Sequence, residues 1–426
     1  MALANGLKKA LEKRLGERRL FYVCRDAERA EAGLFLGLKN YRVIVSLRGV
    51  PALWSGRRSN PTALATGSPR HSQMDPFGVV ARDDILDTRE LLQHPKTKKQ
   101  IQRKDFVLVF KSTPQIEKIC LENRWQLLNP SAALAAMVEE KISQFKWLGK
   151  LKKFLPPGKI TVLKNIDFAG ERFILQFNRA HTGAGTFLIK NKKELGELKK
   201  KFPEREARIS KFIKGPIFTN NNVVWGKKIL IGNISYQITG LKPFTDNPFA
   251  TIGNDWALPK KILSAKQIKN YEKIAQAVGK KLAGEKWRGL FGIDVVLEEK
   301  TGRLYLLEIN ARQPASTSCE SWLQRKQNKN GLTVFEAHLA ALLDLKQDNR
   351  DLIKICDGGQ VVKRQINNEQ LTINKKRLTK TELRVIKYKN SRPGAELYRI
   401  QSEKGLMAKH NKFNKLGIGI CNLFRN

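Results

Sequence analysis

Gly292-Ile-Asp-Val-Val-Leu-Glu-Glu-Lys-Thr-Gly-Arg-Leu-Tyr-Leu-Leu-Glu-Ile-Asn-Ala-Arg312 reads as two apolar strands joined at Lys300, Thr301 and Gly302. A three-residue turn with Gly302 in the left-handed conformation sets Glu299 against Arg303 and, counting outward, Asp294 against Glu308. Asn310 lies two residues beyond Glu308 and shares its face. Like charges placed opposite each other destabilise a sheet, and here they interrupt a strongly apolar pattern. A divalent cation resolves that conflict, and two carboxylates with one amide suit a hard ion, Mg²⁺ first and Mn²⁺ as the alternative. The plainer reading is a solvent-facing hairpin whose acids serve solubility.

Outward from this hairpin, the 426 residues allow two to four domains. Cys24, Cys120, Cys319, Cys356 and Cys421 form no CxxC pair and are odd in number, which argues against a disulfide framework. No apolar run reaches the ~18 residues needed to span a bilayer, and the first residues lack a secretory apolar core, so a cytoplasmic protein without membrane contact is expected. Leu7, Ala10, Leu11 and Leu15 sit at helical spacing, as an ordinary surface helix or a targeting helix would place them. Lys and Arg number 80 against 39 Asp and Glu, for a net charge of +41. The excess is spread along the chain, and its densest cluster, Lys96, Lys98, Lys99, Arg103 and Lys104, has no interleaved aromatics for base stacking. Nucleic acid is therefore a conceivable partner but not the favoured one.

Strand-like runs at Leu20 to Cys24, Tyr41 to Leu47 and Phe106 to Phe110 alternate with helical patterns, as in a small α/β domain. The stretch from Ser55 to Asp75 reads as a mobile loop. A helix over Ala132 to Leu148 leads to a basic hinge, Lys150 to Lys153, and a break at Pro156, Pro157 and Gly158. Antiparallel strands follow, with Arg172 to Phe177 and Thr186 to Ile189 flanking a loop that holds His181, Thr182, Gly183, Ala184 and Gly185. Two glycines let backbone N–H groups approach an anion closely. Ser264 with Gln267 and Thr333 with Glu336 make capping boxes ahead of amphipathic helices. From Ile355 onward the tail is β-rich.

The hairpin resembles the C-terminal half of the ATP-grasp fold, the superfamily of biotin carboxylases, D-alanine ligases and amino-acid ligases. Glu140, Lys141, Phe145 and Leu148 resemble the entry to the grasp domain, where the lysine contacts ATP phosphates. Lys211 and Ile213 resemble the adenine-binding linker between its lobes, and Thr182 to Thr186, with Gly183 and Gly185, the glycine loop over the triphosphate. The resemblance implies a mixed α/β and α+β chain: a pre-grasp α/β domain at 1–140, a two-lobed grasp domain at 141–345 hinged near 210–215, and a β-rich domain at 346–426. It implies ATP and Mg²⁺ as cofactors, with Asp294, Glu308 and Asn310 as metal ligands. Two departures stand out. Gln176 occupies the place of a second phosphate-binding lysine, and Ser210 and Ile217 the places of acids near adenine and ribose.

The implied reaction is carboxylate–amine ligation: a small-molecule carboxylate attacks the γ-phosphate of ATP, and an amine displaces phosphate from the acyl phosphate. Arg312 is the candidate catalytic residue, built to hold the substrate carboxylate. Gln313 and Ser316 are weaker candidates for the same pocket, and the polar stretch Lys242 to Asp255 faces either substrate or solvent. Bicarbonate activation of the biotin-carboxylase kind is an alternative, although only two glycines stand in the loop. A non-catalytic nucleotide- or nucleic-acid-binding protein is the other.

Overall fold

The computed structural model describes residues 2–45, 77–79, 86–178, 185–328, 330–365, 383–388 and 394–424. The loop expected at Ser55 to Asp75 lies outside them. Five parallel strands, β1 (Leu20–Val23), β2 (Tyr41–Val45), β3 (Phe77–Val79), β4 (Phe106–Leu108) and β5 (Gln126–Leu127), form the first sheet in the order β3-β2-β1-β4-β5. β1, β2 and β4 are apolar on both faces because both are covered. Phe21, Val23, Ile44 and Val107 pack with Leu91, Leu92, Ile116 and Ile119 from the helices Thr88–Gln93 and Pro114–Glu122 on one side. Leu20, Tyr22 and Val43 pack on the other with Leu7, Leu11 and Leu15, so the apolar stripe of the first helix, Ala2–Leu15, is spent on the core.

The expected helix over Ala132 to Leu148 is two helices, Ala132–Glu139 and Lys141–Leu148, parted where Glu140 takes an extended backbone, φ −69° and ψ 136°. The freed N-terminus is satisfied from elsewhere: Asn178 Oδ1 accepts from the amides of Ile142 at 2.9 Å and Ser143 at 3.2 Å. The basic hinge is a short 3₁₀ helix, Gly149–Phe154. Beyond it lie β6 (Gly158–Val162), β7 (Phe173–Gln176), β8 (Thr186–Ile189) and β9 (Glu206–Lys211), an antiparallel sheet ordered β6-β9-β7-β8. Leu163, Leu175, Phe177, Ile189 and Leu195 give this small lobe its own core.

The large sheet is built from β10 (Ile217–Trp225), β11 (Lys228–Leu230), β12 (Ser235–Thr239), β13 (Thr251–Asp255), β14 (Gly289–Leu297), β15 (Leu304–Asn310), β16 (Gly359–Arg364), β17 (Leu383–Lys387) and β18 (Glu396–Ser402). Its order is β15-β14-β10-β12-β13-β16-β18-β17, with β11 paired to β10. The tail strands therefore extend the sheet that carries the hairpin. A small pair, β19 (Met407–Lys409) with β20 (Lys412–Phe413), and a helix, Lys415–Asn422, complete the tail. The last five residues of the stretch read as a polar loop, Lys242 to Asp255, are β13, and Asp255 is buried as a staple. Its carboxylate accepts from the amides of Ala257 at 2.9 Å, Leu258 at 2.7 Å and Met407 at 2.8 Å, and from that of Leu406. Both capping boxes form, ahead of the helices Ala265–Gly284 and Val334–Leu342. Among the described residues no helix is long and apolar enough to cross a membrane, and the five cysteines are free.

Candidate active site

Across the β14–β15 hairpin Asp294 pairs with Glu308 and Gly292 with Asn310. The turn that leads there is longer than expected. Glu298 and Arg303 close it, with the Glu298 amide on the Arg303 carbonyl at 2.9 Å, so Leu297 faces Leu304. A β-bulge between Asp294 and Val295 then shifts the register by one and leaves Leu307 out of the pairing. Gly302 has the left-handed backbone expected of it, φ +68°.

Lys141, on the first turn of its helix, reaches Glu308 at 2.9 Å. Burial pushes Asp294 up to about 6, with the charge of Glu308 acting in the same direction; Thr219, Lys141 and Arg312 pull it down. Burial also pushes Glu308 up, but Lys141, Arg312 and Lys111 outweigh it and hold that carboxyl below its usual value. The two acids are thus split, one resisting ionisation and one ionised, under a canopy of cations. Among the described residues no three His, Cys, Asp or Glu side chains cluster as a metal site. What converges here is two carboxylates and an amide, an oxygen-only set with a charge conflict that fits a hard divalent cation carrying its own water and phosphate oxygens.

Arg312 follows the hairpin and is gripped through Nη1 by Glu139, which also binds Lys111. Glu139 is buried, so these two cations are fixed from below, and sequence reasoning missed it. Asn178 was missed as well. Besides capping the helix of Lys141, it donates to Glu140 Oε2 at 2.7 Å, tying the end of β7 to the lysine. Both contacts join distant segments and leave no periodic signal. Gln313 and Ser316, expected at most to line a pocket, are buried supports. Gln313 bonds the Tyr22 hydroxyl at 2.7 Å and the Arg29 carbonyl at 2.9 Å, and Ser316 bonds Asn221.

Lys211 pairs with Glu298 at 3.0 Å near the hairpin turn, and Ile213 packs with Val296 and Tyr305. Between them and β10, Gly215 has φ +155°, and a Cβ there would meet the Leu297 carbonyl oxygen at 1.8 Å, so the linker lies against the hairpin. Gln176 Nε2 donates to Thr186 Oγ1 at 3.3 Å, and the Gly185 carbonyl accepts from the Phe177 amide at 3.0 Å. Thr182 and Gly183, with His181, lie outside the described residues. The basic cluster at Lys96, Lys98 and Lys99 is exposed on a short helix, Pro95–Gln100.

The family model of the ATP-grasp domain matches residues 138–316. No curated protein sequence matches the chain. Solved structures do. N5-carboxyaminoimidazole synthetase from Staphylococcus aureus is 12% identical, with 96% of this chain and 98% of that one covered at a TM-score of 0.62. N5-carboxyaminoimidazole synthase from Aspergillus clavatus, in complex with ADP and 5-aminoimidazole ribonucleotide, is 16% identical, with 95% and 99% covered and a TM-score of 0.62. L-amino acid ligase from Bacillus licheniformis is 13% identical, with 91% and 94% covered and a TM-score of 0.56. At these identities the likeness is one of fold. Residues 138–316 thus match the ATP-grasp domain, and the fold around them is one that these structures share over nearly the whole length of the chain.

Proposed function

We propose that this protein is an ATP-dependent carboxylate–amine ligase, a cytoplasmic enzyme acting on small molecules. The juxtaposition of Asp294 and Glu308 beneath Lys141 and Arg312 carries the reading. Mg²⁺, or Mn²⁺ in its place, would be held by Asp294, Glu308 and Asn310 and would neutralise phosphate oxygens of ATP. The protein's residues do the rest. Lys141 compensates the charge of Glu308; once that charge is balanced from elsewhere, its ammonium is free to turn to the triphosphate. Arg312, anchored by Glu139, orients the substrate carboxylate toward the γ-phosphate, where attack forms an acyl phosphate and releases ADP. Fixed positive charge at the transferring group is the main source of acceleration in such a step. An amine then displaces phosphate. The neighbour solved with ADP and 5-aminoimidazole ribonucleotide supports a nucleotide and a small second substrate for this architecture. The division at 1–140, 141–345 and 346–426 remains our working assignment, the third unit sharing its sheet with the second.

ADP and phosphate release from Mg·ATP, screened against pools of amino acids, small carboxylic acids and bicarbonate, tests the reading. One pool is expected to stimulate release, and Glu308→Gln to remove most of it while the fold stays intact. Wild-type turnover in that variant would overturn the metal assignment. ATP binding without turnover in every pool would favour a non-catalytic nucleotide-binding protein.

A further inference from the structure

Arg208 on β9 is 2% exposed, yet its Nε and Nη1 have no hydrogen-bond partner. Buried guanidinium donors are seldom left so, because an unmade bond to a charged group is expensive. Its surroundings say what is missing. Arg208 pairs with Gln176 on one side and Ile160 on the other, and Gln176 pairs with Thr186. Thr186, Gln176, Arg208 and Ile160 thus form one row across β8, β7, β9 and β6, on one face of the small lobe. Phe145, from the helix that begins with Lys141, lies over the guanidinium at 5.6 Å. The row therefore faces the helix that carries the cation of the candidate site. Burial lowers Arg208 to about 10, with the charge of Glu308 working against that. The pull of Glu308 does not offset the burial. Gln176, meanwhile, is a neutral amide at the end of the strand that leads into the glycine-containing loop.

We propose that Arg208 binds the terminal phosphates of the nucleotide, supplying from the neighbouring strand the positive charge that Gln176 lacks. This rests on the ATP-binding reading above. A guanidinium presents two donors in a fixed fork, which matches phosphate better than the point charge of a lysine.

The test measures Mg·ATP and inorganic triphosphate binding by calorimetry for wild type, Arg208→Met, and Arg208→Met combined with Gln176→Lys, with thermal unfolding of each in the absence of ligand. Loss of charged hydrogen bonds should weaken Mg·ATP binding by roughly ten- to a hundredfold in Arg208→Met. The ligand-free variant should melt no lower than wild type, since an unpartnered buried cation is gone. Gln176→Lys should restore much of the affinity. If Arg208→Met fails to fold, Arg208→Gln carries the same binding expectation. Wild type that binds and a folded variant that binds equally well would overturn the proposal. Wild type that binds no nucleotide would instead overturn the ATP-binding reading on which it depends.

Discussion

Glu320 offers a test of how the site's supporting layer is built. It lies in the helix Thr317–Gln327, fully buried, and accepts from neutral donors: the Asn233 amide at 3.0 Å, Asn233 Nδ2 at 2.9 Å, and Asn221 Nδ2. Asn221 also holds Ser316, so this carboxyl anchors the loop that leaves β15. Burial, the largest influence, raises Glu320 from 4.5 to about 7 against those hydrogen bonds. A displacement of that size, at ~1.4 kcal/mol for each tenfold change in the protonation equilibrium, disfavours the ionised form in the folded state by ~3 kcal/mol. The sign follows from proton binding. Between the unfolded and folded values the native state retains a proton the unfolded chain has lost, so this group's contribution is present below pH ~4.5 and is lost as pH rises through ~7. Glu320→Gln removes the titration, and Asn221 can turn its amide to accept from the new side chain. Urea unfolding at pH 5, 6.5 and 8 should show the variant gaining on wild type by ~2.5 kcal/mol from the lowest pH to the highest. A pH-independent difference would refute the reasoning and mean that the asparagine dipoles compensate the burial fully.

Two further substitutions separate support from chemistry. Glu139→Gln leaves Lys111 and Arg312 without their shared anion; both are about 30% exposed on their side chains, so the expected loss of stability is ~1–3 kcal/mol, below that of a fully buried pair. KM for the carboxylate should rise about tenfold with the Kd of ATP nearly unchanged, since Arg312 loses its orientation; initial-rate kinetics and nucleotide titration check this, and an equal loss of ATP affinity would assign Arg312 to the nucleotide. Gly253→Ala would place a Cβ 2.0 Å from the Gln360 carbonyl oxygen and 3.0 Å from Val361 Cα, so β13 and β16 must separate. A loss of at least ~2 kcal/mol and faster proteolysis of the tail are expected, and an unchanged Tm would show that the tail does not depend on that pairing.

The parts of the molecule that were legible in its sequence are those where local rules decide. Capping boxes at Ser264 and Thr333, apolar runs in β1, β2 and β4, and the break at Pro156 and Pro157 each act within a few residues of themselves. The pairing of Asp294 with Glu308 is a harder case. Counting from a three-residue turn reaches it, yet the turn has an additional residue and a bulge at Leu307 cancels the slip. Bulges have no compositional mark, and they recur beside functional sites because they re-aim side chains. The count still arrives at this pair because the additional turn residue and the bulge offset each other.

Arg208 shows the limit of that kind of reading. Glu206-Ala-Arg-Ile-Ser-Lys211 alternates as a half-exposed strand should, so an arginine in it passes for a solvated side chain. Over it lies Phe145, from far earlier in the chain, on the helix that starts at the break at Glu140 and is capped by Asn178. Glu139 was concealed in the same way at the end of an ordinary helix, where Lys111 and Arg312, both from distant segments, are its partners. Charges that violate the local pattern are visible in the sequence. Charges that obey it find their partners through tertiary contacts alone, as Glu139 does in holding Lys111 and Arg312.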